Sequence, residues 1–113
     1  NLLKNNNSNM NQLYWNELSS NSKAINILKE NQDKIVWSYL SKNINPNAIK
    51  LLKEKIKYEN SLTKERYNNL NRINKIDWFW LSLNPNAINL LEHNQDKIYW
   101  ELLSKNPSIF KAV

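Results

Sequence analysis

Ala87–Asn106, AINLLEHNQDKIYWELLSKN, decides the reading of this chain because it is written twice: Ala24–Asn43, AINILKENQDKIVWSYLSKN, agrees with it at 14 of 20 positions. Two stretches this alike within 113 residues are an internal repeat, and a repeat settles the architecture before local propensities do. The shared Trp-x-x-Leu anchors are Trp15/Leu18, Trp37/Leu40, Trp78/Leu81 and Trp100/Leu103, with 22, 41 and 22 residues between successive tryptophans. The unit is 22 residues long and is interrupted once.

Each unit reads as two short helices. In the last copy the first helix spans Gln95–Lys105, with Asn94 as N-cap and Asp96 at the positive end of the dipole. Asn106 closes it, standing in for the absent glycine in the left-handed conformation that ends helices, and Pro107 cannot continue one. The second helix takes Asn84 as cap and Pro85 at N1, with Ala87, Ile88, Leu90 and Leu91 on one face. In the first helix Ile98, Trp100 and Leu103 lie at about 0°, 200° and 140°, so apolar contact is spread around the circumference. Helices this short are marginal alone and need stacking between units.

The fold class predicted is all-α: an α-solenoid of stacked helix pairs, with handedness open and no strands. Helices are expected near 10–20, 22–30, 32–42, 46–57, 74–83, 85–93 and 95–105. Residues 1–113 read as one solenoid segment, part of a longer array, since Asn1–Asn6 matches a unit's tail and the chain stops in mid-unit at Val113. The second unit carries two extra residues, Ile44 and Asn45, before Pro46. Register is lost over Lys53–Ile73, and residues 58–73 are an insertion bearing Leu62, Tyr67 and Leu70 on a short helix capped by Asn60 or Ser61.

Composition narrows the function. Without Cys there is no disulfide or thiolate site, and without Gly there is no phosphate-binding loop, dinucleotide fingerprint or nucleophile elbow. No apolar run approaches the roughly 18–20 residues that span a bilayer, and no secretory leader is evident. His93, the single His, has no acidic or His neighbours at ligand spacing. The acids are scattered, with no pair placed for proton transfer. No catalytic residue, cofactor, metal or small-molecule substrate is assigned, and the expectation is a soluble, non-enzymatic protein.

Positions that repeat are separated from positions that drift. Trp15, Leu18, Ile35, Trp37, Leu40, Ile76, Trp78, Leu81, Ile98, Trp100 and Leu103 repeat and are assigned to the core, where Trp→Ala costs about 3–5 kcal/mol and Leu→Ala about 2–5 kcal/mol. Lys34, Lys75 and Lys97 recur in what reads as the first turn of a helix, where a cation meets the unfavourable end of the dipole. Phe79 stands where the other units hold Asn16, Ser38 and Glu101; it is either an exposed aromatic anchor or packs on the insertion. These four, Lys34, Lys75, Phe79 and Lys97, form the candidate partner-binding surface. The net charge of +6 admits nucleic acid as a partner, although the Asn, Lys, Ile and Tyr bias of an AT-rich genome is the plainer and favoured account of it.

The pattern Leu-Ser-x-Asn-Pro-Asn-Ala-Ile-x-Leu-Leu-Glu-x-Asn-x-Asp-Lys-Ile-x-Trp resembles the short Asn-Pro-rich repeats of predicted proteins from giant DNA viruses of the mimivirus kind. The resemblance covers most of the chain outside Lys53–Ile73 and is most specific over Ala87–Pro107. It implies an origin and an α-solenoid, with an intracellular or virion-associated location. The functional expectation is a scaffold or protein-protein interaction module within a viral assembly; the alternative is a basic solenoid that binds nucleic acid through its phosphates.

Overall fold

The residue before three of the four repeated tryptophans interrupts the helix expected there. A computed structural model describes residues 8–109, so the readings of Asn1–Asn6 and of Phe110–Val113 fall outside it. The described elements are α1 (Ser8–Ser20), α2 (Ile25–Glu30), α3 (Trp37–Leu40), α4 (Ala48–Ser61), α5 (Lys64–Asn69), α6 (Trp78–Leu83), α7 (Ile88–Glu92) and α8 (Trp100–Leu103). Single 3-10 turns lie at Ser22–Ala24, Gln32–Lys34, Arg72–Asn74 and Gln95–Lys97. The class is all-α, with no strand among the described residues.

Only the first unit keeps a continuous helix up to and through its tryptophan. Helices 32–42, 74–83 and 95–105 are each replaced by a 3-10 turn, an extended link and a helix of four to six residues. Val36, Asp77 and Tyr99 are extended, at ψ 99°, 100° and 92°. Their amides are diverted: Val36 N donates to Ser19 Oγ at 2.9 Å, Asp77 N to Ser41 Oγ at 2.9 Å and Tyr99 N to Ser82 Oγ at 3.1 Å. An amide engaged by the preceding unit cannot also close an α-helical turn.

The same junctions hold a buried asparagine. Asn43 Nδ2 donates to the carbonyls of Ser19 and Asn21 at 2.9 and 3.1 Å. Asn84 Nδ2 does so to Ser41 and Asn43 at 3.1 and 2.8 Å, and Asn106 Nδ2 to Ser82 and Asn84 at 3.0 and 2.9 Å. Each Oδ1 accepts the amide two residues on, from Asn45, Asn86 and Ser108. The expected left-handed Asn106 is therefore not formed; no described residue has positive φ, because the side chain turns the backbone without it. Nor does Asn94 cap a helix, since its buried carboxamide donates to Leu90 O at 2.7 Å. The Asn84–Pro85 pair forms a turn ahead of α7, which begins only at Ile88.

These bonds also correct the register of the second unit. Asn45 Nδ2 donates to Ser22 O as Asn86 Nδ2 does to Ile44 O, so Asn45 is the counterpart of Asn86 and the two added residues are Pro46 and Asn47. Beyond them, α4 runs to Ser61, past the expected end at 57, and carries the chain out into the insertion. The short helix that follows is capped by Thr63, whose Oγ1 accepts Arg66 N at 3.2 Å, and not by Asn60 or Ser61. The chain returns through Arg72–Asn74, which packs on α3.

One apolar cluster joins Trp15, Leu28, Ile35, Leu40, Leu52, Ile76, Trp78, Leu81, Leu91 and Leu103. Leu18, Trp37 and Ile98 are half-buried against it. Trp100 departs from the core assignment: it is 59% exposed, against 6% for Trp15 and 9% for Trp78, because its ring borders an open apolar hollow with Ile88, Leu91 and Ile109. Asn84→Ala leaves two buried carbonyls without their donor and is expected to cost about 2–4 kcal/mol, whereas Asn21→Ala, at an exposed position, costs less than about 1 kcal/mol. Trp78→Ala is expected to cost about 3–5 kcal/mol and Trp100→Ala less than about 1 kcal/mol. Urea unfolding followed by circular dichroism checks all four, and equal losses at Asn21 and Asn84 would refute the junction role.

Candidate functional site

The insertion returns to the helical units beside the 3-10 turn Gln95–Lys97, and an open groove of about 860 Å³ lies between them. Tyr67 comes from α5, Arg72 and Lys75 from the returning turn, Asp77 to Trp80 from the start of α6, and Asp96 to Tyr99 from the last unit. Asp77 is the one residue preceding a repeated tryptophan that can cap, and its Oδ1 accepts Trp80 N at 3.2 Å. That bond fixes the first turn of α6, from which Phe79 and Trp80 project 42% and 39% exposed.

Phe79 packs edge-to-face on Trp80 at 5.5 Å and on Tyr99 at 5.7 Å between ring centroids. It thus remains an exposed aromatic, and its ring neighbours are Trp80 and Tyr99. Lys75 Nζ lies 4.4 Å from the centre of the Tyr67 ring, and Lys97 Nζ lies 5.3 Å from that of Trp78 while donating to Asn60 Oδ1. Such contacts contribute about 0.5–1 kcal/mol at exposed sites and hold flexible cations in place. Trp78 Nε1–H is buried without an acceptor.

Beneath the cations sits Glu59, 4% exposed. Its Oε2 accepts Ile76 N at 2.9 Å and lies 3.9 Å from Lys55 Nζ. The geometry has a local cause. Relative to its tryptophan, the returning 3-10 turn ends one residue earlier than Gln32–Lys34 and Gln95–Lys97 do, so Lys75 N takes Arg72 O and the next amide is left for the carboxylate. Burial pushes the Glu59 carboxyl above its ordinary range, opposed by the Ile76 amide and then by Lys55, Lys97 and Lys75. Burial likewise lowers Lys55, against the pull of Glu59, and burial together with Glu59 raises the Tyr67 hydroxyl.

Of the four residues singled out from sequence, the groove unites Lys75, Phe79 and Lys97. Lys34 lines a separate cleft of about 260 Å³ with Gln12, Trp15 and Ile73. Lys34 and Lys97 end their 3-10 turns and Lys75 follows one, so no lysine of the set faces the positive end of a helix dipole, and the expected electrostatic penalty is absent. Sequence reasoning missed Arg72, Tyr67, Trp80, Tyr99 and Glu59. Trp80 and Tyr99 sit at positions whose residue type drifts between units, which is the signal that could have found them. Among the described residues no group of three or more His, Asp or Glu side chains could hold a metal ion, and no helix is long and apolar enough to cross a membrane.

No known protein family, curated protein or solved structure matches this chain.

The raised Glu59 carboxyl sets a pH dependence. A carboxyl with a higher pKa in the folded state binds its proton more readily there, so stability falls as pH rises from the ordinary Glu value near 4.5 through the folded value. Acidification from neutrality towards that lower limit is expected to raise the stability contributed by this group. Glu59→Gln keeps an acceptor for Ile76 N, is expected to be neutral or stabilising at pH 7, and flattens that dependence. Thermal melts of both proteins across pH 4–8 provide the check; parallel profiles would rule out Glu59 as the source.

Proposed function

We propose that this chain is a non-catalytic α-solenoid segment, a stack of 22-residue helix pairs whose groove around Lys75, Phe79 and Lys97 receives a protein partner. The stacking reading is supported by the recurrence of the Ser and Asn bonds. They link residues 17, 24 and 22 apart at the first junction and again at the last, and 36, 43 and 41 apart across the insertion. Each of the three bonds is lengthened by the same 19 residues, the difference between 36 and 17. The resemblance to giant-virus repeats fits a scaffold within a large assembly.

The observation that carries the binding role is the row of exposed rings, Trp80, Phe79 and Tyr99, beside cations that the fold already holds in place. A protein partner fits this groove better than a phosphate backbone does. Asp77 and Asp96 line it together with Arg72, Lys75 and Lys97, and Glu59 lies beneath, so its charge is mixed. Aromatic anchors among mixed charges are what protein interfaces select.

A variant combining Lys75→Gln, Lys97→Gln and Phe79→Ser is expected to lose at least about tenfold in partner affinity, with its melting temperature nearly unchanged. Lys34→Gln, in its separate cleft, is the control and leaves binding intact. A photo-crosslinking residue at position 79 identifies what sits there, and unchanged affinity in the triple variant would exclude the groove. Anisotropy with a mixed-sequence single-stranded oligonucleotide tests the rival class: affinity that falls steeply with salt and is lost in the triple variant would replace the protein by nucleic acid.

A further inference from the structure

Among the described residues the cations of the groove have no counter-ion, and we infer that the partner brings one: an Asp or Glu carboxylate seated among Arg72, Lys75 and Lys97, next to an apolar side chain that packs on Phe79, Trp80 and Tyr99. The inference rests on the groove being a protein-binding site, as proposed above, and specifies the chemistry of the segment received there. Lys55–Glu59 is the one place among the described residues where a cation and a carboxylate come within ion-pair distance, so Arg72, Lys75 and Lys97 are each unpaired. The carboxylates nearby are largely committed. Asp77 Oδ1 caps α6 through Trp80 N, and Glu59 Oε2 accepts Ile76 N and faces Lys55. Of the carboxylates that line the groove, Asp96 alone is left without such a contact, against three cations.

The cations are also held where a ligand meets them. Lys75 and Lys97 rest over the rings of Tyr67 and Trp78, and Arg72 is exposed. Part of the freedom that a lysine gives up on engaging an anion is thus already lost in the free protein. Trp78, 9% exposed, adds an indole N–H that is buried without an acceptor. The balance of unmet polar groups is on the donor side. The same pairing of ring and cation extends past the groove, where Lys42 Nζ lies 4.5 Å from the centre of the Tyr39 ring and 4.8 Å from that of Trp80. An aromatic face is negative and attracts cations. Here Tyr39, Tyr67, Trp78 and Trp80 each hold an ammonium of the chain itself, so a basic partner would place a second cation beside the first. An acidic segment meets Lys42 as a further attraction beside Trp80.

A phosphate backbone would satisfy the cations too, but the rings favour a peptide. Bases along a single strand stack in parallel, and a platform that takes them offers ring faces in like orientation. Phe79 instead stands at 77° to Trp80 and 73° to Tyr99. Rings crossed in this way form a ridged apolar surface, which suits one inserted side chain better than successive bases. Asp96, in the same groove, repels a chain charged at every link, whereas a peptide places its carboxylate at a single residue.

Fluorescence anisotropy on the whole chain tests this with matched peptides, each a tryptophan flanked on both sides by glutamate, by glutamine or by lysine. The glutamate peptide is expected to bind at least about tenfold more tightly than the glutamine peptide, and the lysine peptide not measurably. Arg72→Gln, at an exposed position, and Lys97→Gln are each expected to remove most of that preference with circular dichroism unchanged. Lys34→Gln takes the same charge from the separate cleft and is expected to keep it. Phe79→Ser weakens the glutamate and glutamine peptides alike. A glutamate peptide that does not bind overturns the inference. Equal losses in Arg72→Gln and Lys34→Gln also overturn it, since they would mean attraction by the net charge of +6 alone. Equal binding of the glutamate and glutamine peptides does so as well; if both still weaken in Phe79→Ser, the groove stands as a docking site and only its acidic preference falls. A single-stranded oligonucleotide that displaces the glutamate peptide and loses affinity in Arg72→Gln would assign the cations to phosphate, and that too overturns the inference.

Discussion

A carboxamide nitrogen held between two carbonyl oxygens of the preceding unit sets the spacing of this protein. Asn43, Asn84 and Asn106 each spend both donors backwards and one acceptor on their own turn, so a single side chain both ends a helix and fixes the distance to its neighbour. No other residue fits the position. Aspartate has no donor, serine has one, and glutamine places the same group a methylene too far from its own backbone. The buried serine beside it extends the scheme: Ser41 and Ser82 donate to the carbonyls of Trp37 and Trp78 and accept an amide from the next unit. A polar network buried this deeply is favourable only when its members are paired, and so it specifies one arrangement of the units.

The period, the all-α class and most of the core could be read from the sequence, because packing between units demands an apolar residue at the same position of every unit. The breaks before the tryptophans were harder to see. Their trace was present in the scatter of Ile98, Trp100 and Leu103 around the supposed helix, a distribution that no single packed stripe produces. The serine and asparagine of Leu-Ser-x-Asn looked like punctuation, since those residue types favour turns. Their presence in all four units, at Ser19, Ser41, Ser82 and Ser104 and at Asn21, Asn43, Asn84 and Asn106, was the signal of burial, because solvated connectors drift. Trp100 shows the reverse error: membership of a repeated set does not by itself bury a residue, and this ring borders an open hollow.

The groove was less legible for a different reason. Lys75, Phe79 and Lys97 stood out by recurrence or by its violation, but their neighbours Tyr67 and Arg72 lie in the segment where register is lost, and periodicity says nothing about where such a segment returns. Glu59 was indistinguishable from any solvated acid on a charged helix. Only its meeting with Ile76 N, 17 residues away, reveals that it fastens the excursion to the last units and draws Lys55, Lys75 and Lys97 around itself.

That excursion has a bearing on how such a chain can change. Closing a loop costs roughly 0.6 kcal/mol for each doubling of its length, so bonds 36 to 43 residues apart are scarcely harder to close than those 17 to 24 apart. The junction between Ser41 and Asp77 is therefore nearly indifferent to what is threaded through it, provided the chain comes back in register. Length between units is a free variable here, and new surface can be acquired there without renegotiating the contacts that hold the units together.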